Sequence, residues 1–101
     1  MDKVTKEFTK IVRRRLKANL RKIILFGSRA RGTHQAGSDY DILLLLGRRS
    51  KKAQNEILNA SVEMLDKYNA LIGTILCDDR EWEFKKRFPI GRNILDEGVE
   101  L

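Results

Sequence analysis

The residues best suited to chemistry lie between positions 26 and 45, and the first pair among them is Asp39 with Asp41. Residues two apart on a strand project from the same face, so an extended backbone here sets two carboxylates side by side. Such neighbours repel unless a cation lies between them, and hard oxygen ligands beside a phosphate suit magnesium or manganese. Eleven residues upstream of the pair stands Gly27-Ser28. Gly27 lets the backbone approach a ligand closely, while Ser28 offers a hydroxyl and opens a short helix whose free amides favour an anion. A Gly-Ser turn alone is an ordinary way to leave a strand, and an isolated Asp-X-Asp is more often a pair of surface carboxylates. Together, at this spacing, they describe a phosphate cradle facing a cation site.

The elements that must position these groups are legible from periodicity. Val4, Phe8, Ile11, Val12 and Leu16 recur at helical spacing, which predicts an amphipathic helix over 3–18 with its cations outward and Asn19 at its end. Residues 22–26 form a short apolar run closed by Gly27-Ser28, the signature of a buried strand running into a turn. A second strand is expected over 39–46, broken by Gly47 and the Arg48-Arg49-Ser50 cluster. Its apolar stretch, Ile42 to Leu46, puts the carboxylate pair at the start of the strand, on the rim of a pocket. Ala53, Ile57, Ala60, Met64, Leu65 and Tyr68 share one face of a helix over 51–68, and residues 69–77 read as a third strand. Asp78-Asp79 caps a last helix carrying Trp82, Phe84 and Phe88, which are expected in the core, before Pro89 interrupts it. The order is helix, strand, short helix, strand, helix, strand, helix: an α+β chain built in α/β layers on one small mixed sheet of about three strands.

At 101 residues and 42% hydrophobic content the chain suits one domain, residues 1–101, with a modest core. The longest apolar run is far short of the roughly 20 residues that cross a bilayer, so no membrane is expected. A single cysteine, Cys77, and a charged amino-terminal stretch without a signal-peptide core give the cytoplasm as the expected location. Cys77 at a strand end reads as packing, and His34, the lone histidine, as a solvated loop residue. The net charge of +7 is local. Residues 1–22 hold nine Lys or Arg against Asp2 and Glu7, whereas the other 79 residues carry twelve charges of each sign. Such a basic face attracts nucleic acid, an acidic protein or a polyphosphate, or else serves as a solvated helix face.

The run Gly27-Ser28-Arg29-Ala30-Arg31-Gly32, followed by Ser38-Asp39-Tyr40-Asp41, resembles the signature of the minimal nucleotidyltransferase family, a branch of the DNA polymerase β-like nucleotidyltransferase superfamily. The resemblance covers the order of elements over nearly the whole chain. It implies the mixed-sheet α+β nucleotidyltransferase fold and transfer of a nucleotide from a nucleoside triphosphate with magnesium, manganese being the alternative ion. It also implies a HEPN-domain toxin as partner, some antitoxins of this kind attaching AMP to a tyrosine of their toxin. Carried over by position, Gly27, Ser28, Arg31 and Ser38 would bind the nucleotide, and Asp39 and Asp41 would be the catalytic metal ligands. Arg31 has a second reading, as the partner of a nearby carboxylate.

One part of that pattern is missing. The family's third carboxylate belongs on the next core strand, at Gly73 or Thr74, and neither residue binds metal well. Asp78 and Asp79 fall too far along. Nucleotide binding survives this departure better than catalysis does, because the third ligand completes the site of the metal that activates the attacking hydroxyl. Three functions are therefore open to the chain: transfer of AMP from ATP to a protein hydroxyl, as the antitoxin to a HEPN-type toxin; a catalytically weakened nucleotide-binding antitoxin that acts by complex formation; and a nucleic-acid-binding module using the basic helix. An oligomer is compatible with all three.

Overall fold

The computed structural model describes residues 2–101. Helix α1 (Lys3–Leu16) starts at Asp2, whose carboxylate accepts a hydrogen bond from the Thr5 amide at 2.9 Å. Val4, Phe8, Ile11, Val12 and Leu16 are its buried face. The helix ends two residues earlier than periodicity suggests, where Lys17 takes a left-handed φ of 51° and a single 3-10 turn follows. Strand β1 (Leu20–Phe26) leads through Gly27 into the one-turn helix α2 (Ser28–Arg31). Strand β2 (Tyr40–Leu46), helix α3 (Lys51–Tyr68) and strand β3 (Ile72–Asp78) come next. Asn69, expected in the third strand, instead closes α3 at φ 53°, and β3 starts three residues later.

The carboxy-terminal part differs most from the pattern reading. Asp78 caps helix α4 (Asp79–Lys85) as expected, in a full capping box with Glu81. Pro89 does not interrupt a helix. It is the first residue of another, α5 (Pro89–Glu97), where a fixed φ and a missing amide hydrogen cost nothing. A two-residue strand β4 (Val99–Glu100) follows. Trp82 is buried, but Phe84 and Phe88 are 60% and 46% exposed, so the core expected of all three aromatics holds for Trp82 alone.

The sheet has four strands in the order β3-β2-β1-β4. β2 pairs antiparallel with β1 and parallel with β3, and β4 runs antiparallel to β1. Helices cover both faces. Ile42, Leu44 and Leu46 pack toward α1 and α3, while Leu43 and Leu45 join Cys77, Trp82 and Ile94 under α4 and α5. This is why residues 42–46 are apolar without alternation: both sides of β2 are buried. Asp41 stands one residue before that stretch, at the end of the sheet where β1 leaves and β3 enters.

Candidate active site

The β1 and β2 register sets Phe26 opposite Asp41, so the chain leaves β1 directly beside the carboxylate. Gly27 there has φ +76°, and a Cβ added to it would collide with Asp41 Oδ2. Only glycine satisfies both conditions. The next four residues wind into α2, with the Ala30 and Arg31 amides donating to the Gly27 carbonyl at 3.1 Å and Gly32 closing the turn in the left-handed region. Gly27, Ser28 and Asp41 are thus brought to one place by backbone geometry.

Asp39 is exposed and Asp41 half-buried. Burial first, and then the charge of Asp39, push the Asp41 carboxyl above its ordinary value, while Arg31 works the other way. A carboxylate that is partly desolvated beside another carboxylate is a group whose charge a cation would stabilise, and the oxygen donors suit magnesium or manganese. The donor set stops at two. Among the described residues no three His, Cys, Asp or Glu side chains come together as a metal site.

The parallel register of β2 with β3 identifies the missing position. Gly73 lies beside Asp41, and a Cβ there would stand 3.8 Å from Asp41 Oδ1. Thr74 pairs with Ile42 and turns to the other face, where it lines a depression with Ile57 and Leu76. Position 73, and not 74, is where a third carboxylate would face the pair.

Arg31 has a partner that the sequence reading leaves unnamed. Its Nη1 lies 3.0 Å from both carboxylate oxygens of Glu97, the last residue of α5. The Gly27 amide donates to the same carboxylate at 3.1 Å. Arg31, together with the Gly27 hydrogen bond, holds the Glu97 carboxyl below the usual range. Arg29, to which the motif assigns no role, is a brace: its Nε donates to the Ser38 carbonyl at 2.9 Å, and its guanidinium sits 3.8 Å over the Tyr40 ring. Tyr40 donates to Asp2 Oδ2 at 2.6 Å, and burial with that hydrogen bond pushes its hydroxyl up to about 12. The loop carrying Asp39 is therefore pinned to the start of α1. Ser38 takes part through its own loop, its Oγ accepting from the Gln35 amide at 3.0 Å. His34 is exposed on the rim of a cavity of about 350 Å³ that it shares with Asp2, Arg29, Tyr40 and Leu101, and neither Asp39 nor Asp41 lines it. Cys77 is buried, its thiol pushed up by desolvation, as a packing residue.

The turn at Gly27-Ser28 lies against Asp41, one of the two carboxylates of the motif, and comparison with known proteins gives the family of the whole chain. The nucleotidyltransferase domain model matches residues 5–101. The chain belongs to the nucleotidyltransferase domain family. Two Methanocaldococcus jannaschii proteins, each proposed by its name to be a protein adenylyltransferase, are similar to it. One is 31% identical over 100 residues, 99% of this chain and 96% of the relative. The other is 36% identical over 74 residues, 72% of this chain and 75% of the relative. Among solved structures, a nucleotidyltransferase-like protein of Sulfolobus solfataricus superposes with a TM-score of 0.62 at 24% identity, covering 97% of this chain and 76% of its own. A toxin–antitoxin complex with AMP-PNP superposes at 0.60 and 20% identity, covering 92% and 68%. The Shewanella oneidensis complex of a tri-AMPylated HEPN toxin with its MNT antitoxin gives 0.52 at 18% identity, covering 96% and 70%. At these identities the structures establish the nucleotidyltransferase fold. Four strands, one more than the sequence pattern suggests, complete it here because β4 adds a short edge.

Proposed function

We propose that this nucleotidyltransferase binds ATP with magnesium at the Gly27-Ser28 turn and transfers AMP to a hydroxyl of a partner protein, with a HEPN-type toxin as that partner. The observation that supports the reading is the close approach of Gly27 to Asp41, which sets the turn directly beside one of the two carboxylates. The relatives named for protein adenylylation and the AMPylated toxin bound to an MNT antitoxin support the choice of acceptor.

Asp39 and Asp41 would hold the ion, which when bound neutralises triphosphate charge and lowers the pKa of a coordinated hydroxyl. The turn amides, the Ser28 hydroxyl and Arg31 would hold the phosphates, with Ser38 shaping the loop beside them. The acceptor oxygen forms a bond to the α-phosphorus, the bond from that phosphorus to the bridging oxygen breaks, and pyrophosphate leaves while the acceptor loses its proton. Gly73 beside Asp41 favours a second reading, in which this chain binds nucleotide and covers its partner but transfers slowly. Nucleic acid on the basic helix is the third.

The test is incorporation of labelled AMP into a partner co-purified with the chain. Labelled partner, lost with Asp39→Asn and Asp41→Asn together, supports transfer. Calorimetry gives the metal arm: ATP binding is expected to weaken with excess chelator, and equal affinity would remove Asp39 and Asp41 as ligands.

A further inference from the structure

Glu97 holds the donors that a triphosphate would use. Its carboxylate accepts from the Gly27 amide at 3.1 Å and from the Arg31 guanidinium at 3.0 Å. These groups belong to the turn and to the short helix α2 that follows it, and they reach Glu97 across 70 and 66 residues of chain. A carboxylate oxygen and a phosphate oxygen are equivalent partners for such donors, since both are charged acceptors that a guanidinium binds in pairs. They are not compatible neighbours. A triphosphate brought to Gly27 and Arg31 with Glu97 in place would set like charges within a few ångströms.

We propose that Glu97 is an internal competitor of the triphosphate: it occupies the Gly27 amide and Arg31 in the nucleotide-free chain, and it must give them up when the phosphates bind. The inference rests on the reading of Gly27-Ser28 as a triphosphate turn, and adds a residue outside the motif that sets nucleotide affinity.

The surroundings of Glu97 permit the exchange. It is the last residue of α5, and its side chain is partly exposed. β4 pairs with β1 at two positions only, Ile24 with Glu100 and Leu25 with Val99. Leu101 adds an amide bond to the Ile23 carbonyl and receives the Arg13 guanidinium on its own carbonyl. Ile94, one turn earlier, is buried and anchors the helix, so the exchange asks for rotation of the glutamate side chain and not for movement of α5.

The experiment is calorimetric titration of the whole chain and its Glu97→Gln variant with magnesium ATP, magnesium tripolyphosphate and adenosine. Glutamine keeps the size and can still accept from Gly27, but loses the charge. Competition predicts that Glu97→Gln binds ATP and tripolyphosphate about two- to fivefold more tightly, the fold-change that corresponds to an exposed ion pair. Adenosine, which brings no phosphate, is expected to bind both chains equally. Equal or weaker tripolyphosphate binding by a folded Glu97→Gln chain overturns the proposal and makes Glu97 a brace for Arg31. Should that variant fail to fold, Glu97→Asp takes its place; its shorter reach also predicts tighter tripolyphosphate binding, and unchanged binding overturns the idea. Failure of the unmodified chain to bind magnesium ATP at all would instead refute the nucleotide site itself.

Discussion

At the residue scale the site is governed by how Asp41 is housed. It is packed against Gly27 and shares its surroundings with Asp39, and both burial and that neighbour raise its pKa. A folded-state value above the unfolded one means that the folded chain holds the proton more strongly. The associated stability is fully present below the unfolded value of 3.8 and is lost as pH rises through the higher folded value. At neutral pH, without metal, the ionised pair is therefore a burden. Asp41→Asn is expected to raise the melting temperature of the metal-free chain at pH 7, to narrow that difference as pH falls toward 4, and to abolish stabilisation by magnesium. Melting curves across pH, with and without the ion, check all three, and a lower melting temperature for Asp41→Asn at pH 7 would give Asp41 a structural role. The two aspartates, Gly27 and Ser28 were legible because they sit within fifteen residues of one another. Glu97 was not, since nothing local in the sequence distinguishes it, and its meaning comes only from where α5 ends.

At the element scale the decisive fact is the parallel register of β2 and β3. Sequence alternation shows that only one of Gly73 and Thr74 can face the carboxylates, but it cannot say which, because strand phase depends on where β3 begins. Asn69 ends α3 and moves that beginning to Ile72, and the register then sets Gly73 beside Asp41. Gly73→Asp is expected to lower stability without metal, through repulsion from Asp41, and to raise magnesium affinity and AMP transfer when an acceptor is supplied. Thr74→Asp is expected to leave metal binding unchanged and to cost about 1–3 kcal/mol, because the new charge enters the face that holds Ile57 and Leu76. Magnesium titrations and melting curves of the two variants separate these outcomes, and a gain in magnesium affinity from Thr74→Asp alone would reverse the assignment. The same reasoning explains why α5 escaped periodicity. Pro89 is a stop inside a helix and a start at its first turn, and only the three-dimensional path between Lys85 and Pro89 shows that a new helix begins.

At the scale of the whole molecule the charge is divided between two ends. The start of α1 lies at the site, since Asp2 receives Tyr40 and faces Arg29. Its far end lies where β1 begins and β2 finishes, near Asn19 and Gly47. At 1.5 Å per residue, Arg14 and Lys17 stand about 18–22 Å along the axis from Asp2, beyond the roughly 8 Å over which exposed charges act at physiological salt. Several cations of this helix are already engaged. Arg13 holds the Leu101 carbonyl, and Arg15 pairs with Glu63 at 2.6 Å. Lys10 and Arg14 share one helical face at four-residue spacing, Lys17 follows at the turn that ends the helix, and among the described residues none of the three makes a salt bridge. Reversing Arg13 would mix a surface effect with loss of the carboxy-terminal anchor, so the informative variant is Lys10→Glu with Arg14→Glu and Lys17→Glu. It is expected to weaken association with the partner protein, or with RNA, while magnesium ATP affinity changes by less than about twofold, within the range of ordinary surface substitutions. Titrations at two salt concentrations distinguish the partners, because binding through phosphate contacts falls steeply as salt rises. A loss of ATP affinity as large as the loss of partner affinity would mean that the basic face belongs to the nucleotide site, and that the separation along α1 is bridged by the bound ligand or by a change in the chain.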